Sequence, residues 1–491
     1  MSEKRLPRRQ FLRFAALTTS SGVLAACAAP VANNPSANPA PTSAPASTSA
    51  PAPAATLAPA STSAPIATSA PVATSAPATA TGNLTIMYTT EELSDESLKI
   101  FTDRNPELTV ERVPNDETRL KAMIAGGTPP DVFQLGGGQM SAYLNQGILL
   151  KLNDYFAASS LLKLDDLAPA NSFFKWDGKR LGSGDVYGMA KDWSPDYSFW
   201  INPDAFKEAG LAIPDDKQPI TYAKLAEYAA ALTKKSGDKY ERIGMTYETY
   251  SLDAVMQFRL AEDGANLYSP DFKQVLIKDS PGAVEVLRYY YDLSQQGYTW
   301  TPLNPSPNGW NGKDFTLGLS GAASNGYWFS GLLRGSDDSP VHNKAIMLPA
   351  PTWGKLRYSP AYGPSGAVVA ASSKNPDAAW KFFEFINAQE PATERATSGW
   401  GVPALTSLFS LMPQETDFDK QAYRVVQDEI ANAAFVREIN PYFASGSAFE
   451  ATWKTNLELA LRGEIDFDKL VETVDADMNQ ALQDGLSAAG V

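Results

Sequence analysis

The chain has 491 residues, 41 basic and 55 acidic side chains, a formal net charge of −14, one cysteine and one histidine. That length allows more than one domain core, and the acid excess leaves no basic stripe for nucleic acid. A single cysteine excludes an internal disulfide, and a single histidine, His342, excludes a histidine-rich metal site.

The first 27 residues open with Lys4, Arg5, Arg8, Arg9 and Arg13 and continue through an apolar or small run from Phe14 to Ala26. The run is too short for a comfortable bilayer span, so it reads as an export signal. Arg8-Arg9-Gln10-Phe11-Leu12 resembles a twin-arginine signal, with Pro7 where Ser or Thr is usual. Leu24-Ala25-Ala26-Cys27 resembles a bacterial lipobox, and Cys27 falls where the lipidated residue belongs. The next segment, residues 28–82, carries no charge and repeats Ser-Ala-Pro. It cannot bury enough apolar surface to fold, and it reads as a disordered spacer. Stretched at ~3.1 Å per residue it would reach on the order of 170 Å. Lipid and spacer together predict a domain tethered to the outer face of the cytoplasmic membrane.

From Asn83 onward 36 basic residues face 54 acidic ones, a net charge of −18. Leu84 to Tyr88 is a short apolar strand, and acidic residues at 91, 92 and 95 suit the start of a helix running to Arg104. Asn105-Pro106 breaks that helix, and Leu108 to Val113 alternates as a second strand. Asp116 caps a helix to Ala125. In Ala125-Gly126-Gly127-Thr128-Pro129-Pro130-Asp131-Val132-Phe133-Gln134-Leu135 the glycines end that helix, the prolines block a restart, and the apolar run makes a third strand. Strands alternating with helices at this spacing predict a mainly parallel sheet of βαβ units. Further on, Asn202-Pro203, Ser280-Pro281 and Asn375-Pro376 each open a helix.

This order of segments resembles the extracellular solute-binding proteins that serve ABC importers, in particular the sugar-binding (family 1) type. The residues that carry the likeness begin with Arg104 to Val113 and Ala125 to Leu135. They continue through Trp200 to Gly210, Pro219 to Leu225, Phe315 to Trp328, Tyr362 to Val369, Lys374 to Phe383 and Gly399 to Ala404. The likeness spans roughly residues 83 to 480. It implies a type II fold of two α/β lobes with a hinge, each lobe a mainly parallel sheet flanked by helices. Lobe 1 would hold about 83–191 plus 358–390, and lobe 2 about 193–350 plus 400–491. It also implies permease subunits as partners, a monomer, and no catalysis.

No nucleophile elbow or metal motif occurs, and the glycines at 136 to 138 lack the Lys-Ser/Thr pair of a phosphate loop. No cofactor and no metal are expected. Open α/β sheets bind ligands beyond the carboxyl ends of their strands, so loops after strands are the places to search. These loops are rich in aromatics, which cover the C–H face of a sugar while Asp, Glu or Asn meets its hydroxyl rim. The candidate ligand-binding residues are Tyr88, Thr90, Glu91, Gly137, Asp192, Trp193, Tyr250, Trp310, Asn325, Trp328, Tyr362 and Trp400. A carbohydrate, mono- or oligosaccharide, is the expected ligand. A polyamine, a peptide or a surface-tethered carbohydrate hydrolase are the alternatives.

Overall fold

A computed structural model describes residues 82–90, 92–247, 252–361, 364–433, 438–443, 448–489 and 491. The basic leader, Cys27 and the spacer up to residue 81 lie outside the described residues. The folded region opens with β1 (Gly82–Met87), α1 (Asp95–Arg104), β2 (Leu108–Val113), α2 (Glu117–Ala125) and β3 (Val132–Gly136). Local chemistry sets these boundaries. The Ser94 hydroxyl accepts from the Ser97 amide at 3.0 Å, and Asp116 Oδ1 accepts from the Arg119 amide at 2.7 Å. Gly127 takes φ +72°, and the Thr128 amide reaches back to the Met123 carbonyl at 2.9 Å, closing α2.

The chain continues through α3 (Met140–Asn145), α4 (Asn153–Ala158), the hairpin of β4 (Lys175–Trp176) and β5 (Asp185–Val186), then β6 (Gly188–Ala190) and β7 (Asp192–Trp193). A second body follows: β8 (Phe199–Ile201), α5 (Pro203–Glu208), α6 (Tyr222–Leu232), β9 (Lys234–Ser236), β10 (Lys239–Thr246), α7 (Leu252–Glu262), α8 (Pro281–Gln295), α9 (Asn311–Thr316), β11 (Ser320–Ser324), α10 (Phe329–Gly335) and β12 (Ile346–Leu348). The chain then returns to the first sheet through β13 (Ser365–Val369), followed by α11 (Pro376–Ala388), α12 (Glu390–Ser398) and β14 (Val402–Pro403). It closes with α13 (Asp417–Asn432), α14 (Ala448–Leu461) and α15 (Phe467–Ala489). Asn202 caps α5 as expected, its Oδ1 accepting from the Asp204 and Ala205 amides. Ser280 stands at the start of α8 without a capping bond from its side chain.

Two five-stranded sheets result, ordered β2-β1-β3-β13-β6 and β12-β8-β11-β10-β9. The two-lobed α/β class holds, but the expectation of mainly parallel sheets does not. In the first sheet β1 pairs parallel with β2 and β3, while β13 runs antiparallel to both β3 and β6. In the second only β10 and β11 are parallel. The reason is the route of the chain. Ser365 enters the first sheet beside Gly136, the carboxyl end of β3. Phe199 likewise enters the second sheet beside Ser324, the carboxyl end of β11. A segment that crosses between lobes at the carboxyl ends of the parallel strands must run against them.

Each sheet is covered by helices. In the first lobe Phe382 of α11 meets the Tyr88 ring at 5.6 Å and the Phe101 ring at 5.2 Å, both edge-on. Burying each such ring stabilises the fold by about 2–3 kcal/mol. In the second lobe α7, α8, α14 and α15 contribute to one continuous apolar cluster on the sheet. Gly244 in β10 has no room for a side chain, because a Cβ there would overlap the Ala229 carbonyl of α6. The lobes are joined where β7 pairs with β14, Trp193 facing Val402 and Asp192 facing Pro403. No helix among the described residues is long and apolar enough to cross a membrane.

Candidate functional site

The carboxyl ends of β1, β3 and β6 converge in the first lobe, and there the chain assembles a cluster of charges. Lys191, one residue beyond β6, donates to both oxygens of Glu92 at 2.8 and 2.9 Å. Gln134 of β3 donates to Glu92 Oε2 at 2.5 Å, and Asn115 donates to Gln134 at 3.3 Å. Arg395 of α12 donates to the Ile386 carbonyl at 2.6 Å and the Lys191 carbonyl at 3.4 Å. Its charge acts on Asp192, Glu92 and Tyr88.

Burial alone would raise the Glu92 carboxyl, but Lys191 and Gln134 overcome it and hold the group below the usual carboxylate range. Burial would lower the Lys191 ammonium, but Asp192 and Glu92 hold it above the ordinary lysine value. For Asp192 the balance reverses, burial outweighing Lys191 and Arg395, and the carboxyl is raised. Burial also pushes the Tyr88 hydroxyl well up, with Glu92 adding to it. Glu92 is thus directly paired with Lys191, while Asp192 lies in the field of Lys191 and Arg395.

The facing ends of the second sheet are built from different chemistry. Asn325 follows β11 and is 2% exposed, and both ends of its carboxamide lack a hydrogen-bond partner among the described residues. The hydroxyls of Ser198, just before β8, and Thr246, at the end of β10, are also buried without one. Buried polar groups are normally paired, and three open ones at adjacent strand ends mark a place where a polar solute or water belongs. Asn311 donates to the Tyr247 carbonyl at 3.0 Å and so fixes the start of α9, with Trp310 before it, against the end of β10. Trp310 and Trp328 lie nearly parallel, 18° apart with centroids separated by 6.4 Å, and both are partly exposed. Trp400, 38% exposed, packs over Gly331 of α10, where a Cβ would sit 3.3 Å from its Cδ2. The neighbouring Gly401 abuts Asp192. Ser330 and Arg334 of α10 donate to the Gly399 and Ser398 carbonyls at 3.1 and 2.8 Å, tying this turn to the second lobe.

The sequence candidates therefore divide. Asp192, Trp310, Asn325, Trp328 and Trp400 stand at the strand ends or beside the hinge pair, as does Tyr88, whose hydroxyl is buried and unpartnered while its ring belongs to the core. Thr90 is exposed. Trp193 is 3% exposed, its Nε1 donating to the Pro403 carbonyl at 3.2 Å, so its indole serves the hinge rather than the cleft wall. Gly137 is buried, its amide donating to the Pro364 carbonyl at 2.9 Å, and a Cβ there would meet the Phe173 ring at 2.8 Å. The open position is its neighbour Gly138, which has nothing within 4 Å. Glu91, Tyr250, Tyr362 and Cys27 lie outside the described residues. Sequence reasoning missed Glu92, Gln134 and Arg395. Glu92 adjoins a loop already singled out, but Arg395 sits within a helix and no local pattern points to it. Among the described residues no group of three or more His, Cys, Asp or Glu side chains could hold a metal ion.

A profile of the family described as bacterial extracellular solute-binding protein matches residues 81–393. Among solved structures, an ABC substrate-binding protein of Listeria monocytogenes in complex with cycloalternan superposes with a TM-score of 0.65 at 20% identity, covering 82% of this chain and 99% of that one. The sugar-binding protein MalE of Xanthomonas citri gives 0.63 at 19% identity, covering 82% and 98%. The GacH receptor of Streptomyces glaucescens, solved unliganded and with acarbose, gives 0.62 at 18% identity, covering 82% and 99%. No curated protein sequence matches. At these identities the structural likeness speaks for the fold.

Proposed function

The chain belongs to the bacterial extracellular solute-binding proteins, a family of binding proteins rather than enzymes, and we propose that it captures an uncharged carbohydrate between its two lobes for an ABC importer. The observation that carries this reading is the parallel Trp310–Trp328 pair beside the buried, unpartnered carboxamide of Asn325. Indole faces cover the C–H patches of a pyranose, and the amide offers a donor and an acceptor to its hydroxyls. The opposite wall argues for a neutral solute. A polyamine needs spare carboxylates, yet Glu92 is held by Lys191, and Asp192 lies in the field of both Lys191 and Arg395. Solved relatives of the same fold carry cycloalternan, acarbose and D-mannitol, which supports the same solute class.

Tyr88, Asp192, Asn325, Trp310, Trp328 and Trp400 are the proposed ligand contacts. The reading has ligand bridge both lobes, shift an open–closed equilibrium about the β7–β14 pair and present the closed form to the permease. Cys27, lipidated after export, would hold the monomer to the outer face of the membrane through the spacer. A Cys27→Ala chain that still partitions into the detergent phase would remove the lipid from this account. The main test is a thermal-shift screen over neutral sugars, polyols, spermidine and short peptides. Sugars alone should raise the melting temperature, because ligand that binds only the folded form stabilises it. A shift with spermidine or peptide and none with sugars overturns the carbohydrate reading.

A further inference from the structure

The loop that leads into α9 alternates in exposure. Leu303, Pro305 and Pro307 are exposed, while Asn304 and Ser306 between them are partly buried. Asn304 and Ser306 each precede a proline, which keeps their backbone extended, and side chains two apart in an extended stretch share a side. Asn308, the next of that series, donates from Nδ2 to Asp314 Oδ1 of α9 at 2.7 Å. Gly309 then turns the chain at φ +71°, its amide donating to the Ser306 carbonyl at 3.2 Å.

Asp314 sets this loop apart from an ordinary surface turn. The residue is fully buried, its Oδ1 meets only the neutral Asn308 amide, and its Oδ2 has no partner among the described residues. The Ser306 hydroxyl and Asn304 Nδ2 are likewise buried without one. Buried polar groups are normally paired, and a buried carboxylate is normally matched by a cation. We propose that Asn304, Ser306, Asn308 and Asp314 bind a hard cation, calcium.

The spacing supports this assignment. In a twelve-residue EF-hand loop the first, third and fifth side chains give oxygens, a glycine makes the sharp turn at the sixth, and a carboxylate closes the site at the last. Counted from Asn304, Ser306 is third, Asn308 fifth and Gly309 sixth, and Asp314 comes one residue early. Amides and a hydroxyl stand where aspartates are usual, so no metal motif stands out in the sequence. A half-turn of a carboxamide exchanges its nitrogen for its oxygen. Turning Asn304 and Asn308 in this way brings two amide oxygens to join Ser306 Oγ and the Asp314 carboxylate. An all-oxygen set on an irregular loop suits calcium better than magnesium, which demands near-ideal octahedral geometry. A single carboxylate places the affinity in the weak range of extracellular modules, about 0.1–1 mM. Trp310 follows Gly309 directly, so the ion orders the loop that carries one of the proposed solute contacts.

This inference stands apart from the carbohydrate reading, and its test needs no sugar. The full chain, stripped with a chelator, is titrated calorimetrically with calcium chloride. Terbium luminescence excited through indole is followed in parallel, because Trp310 lies in the loop. One calcium per chain should bind and raise the melting temperature. Asp314→Asn keeps the shape and removes the charge. It should weaken calcium by about tenfold or more and abolish the terbium signal, with the calcium-free melting temperature unchanged or higher. Ser306→Ala, a milder change, should also weaken calcium and keeps the test decisive if Asp314→Asn does not fold. Circular dichroism identifies the folded variants. No uptake of calcium by the unmodified chain at about 10 mM, well above the expected range, overturns the proposal. Undiminished calcium binding by folded Asp314→Asn or Ser306→Ala also overturns it, because the ion then sits elsewhere.

Discussion

Lys191 is the direct partner of the largely buried Glu92 carboxylate. It donates to Glu92 at 2.8 Å, and Asp192 is its neighbour in sequence. Replacing it by Met should destabilise the fold by about 2 kcal/mol at pH 7, because removing one partner of a largely buried pair strands the other. The pH dependence has a definite sign. In the native protein the Glu92 carboxyl lies below its unfolded value, so its contribution is complete above the usual carboxylate range and is lost as pH falls through the lowered value. Without Lys191 the burial of Glu92 is unopposed by its main partner. Its folded pKa then rises above the unfolded one, and the variant recovers stability as the carboxyl takes up a proton. Urea unfolding at pH 7 and pH 5 should show the gap between the two proteins narrowing at the lower pH. A constant gap means that Lys191 acts by packing alone. Asn325 makes the complementary case. Its carboxamide is buried with both ends open, which costs a folded protein about 1–3 kcal/mol when nothing fills the site. Asn325→Leu should therefore raise the melting temperature of the ligand-free protein while abolishing its sugar-induced shift. Loss of stability together with loss of binding would assign Asn325 a structural role.

At the level of elements, the helix ends were the most legible part of the sequence. Asp116, Asn202 and the Gly126-Gly127 pair act where their side chains or their lack of one predict, because caps and left-handed turns depend on a few adjacent residues. Ser280 shows the limit, since its position was right and its hydrogen bond absent. Packing between elements was not legible. Gly244 looks like an interruption in a strand, yet it is the point where α6 lies directly on β10. Gly244→Ala should destabilise the second lobe by about 2–4 kcal/mol, since the added methyl must displace backbone rather than a side chain. Denaturant titration measures this, and a change under 1 kcal/mol would mean that α6 shifts freely. Trp300 teaches the same lesson. It precedes Trp310 in a Pro- and Asn-rich stretch of the sequence, but it packs edge-on to Tyr240 near the amino end of β10, away from the strand ends that gather the candidates.

For the whole molecule, function depends on how the two lobes meet. The link includes the short β7–β14 pair and the contacts of α10 with the turn at Ser398 to Trp400. A second link lies in the β4–β5 hairpin, where Arg180 donates to the Pro270 carbonyl at 3.1 Å and stands 4.7 Å over the Phe272 ring. If ligand draws the lobes together, small-angle scattering of the folded region should show the radius of gyration falling at saturating sugar. An unchanged radius with measurable binding would confine recognition to one lobe. Sequence by itself determined the alternation of strands and helices, the helix boundaries and the loops worth searching, because these follow from short-range periodicity, caps and turn residues, while the family and the two-lobed class came from its resemblance to known binding proteins. Tertiary structure alone decided that the sheets are mixed in sense, that Trp193 belongs to the hinge, and that Gly137 yields to Phe173. It also decided that Arg395 of α12 reaches the Lys191 carbonyl, where its charge acts on Glu92 and Asp192. Those outcomes depend on where distant segments cross between lobes, and no local pattern of residues records a crossing.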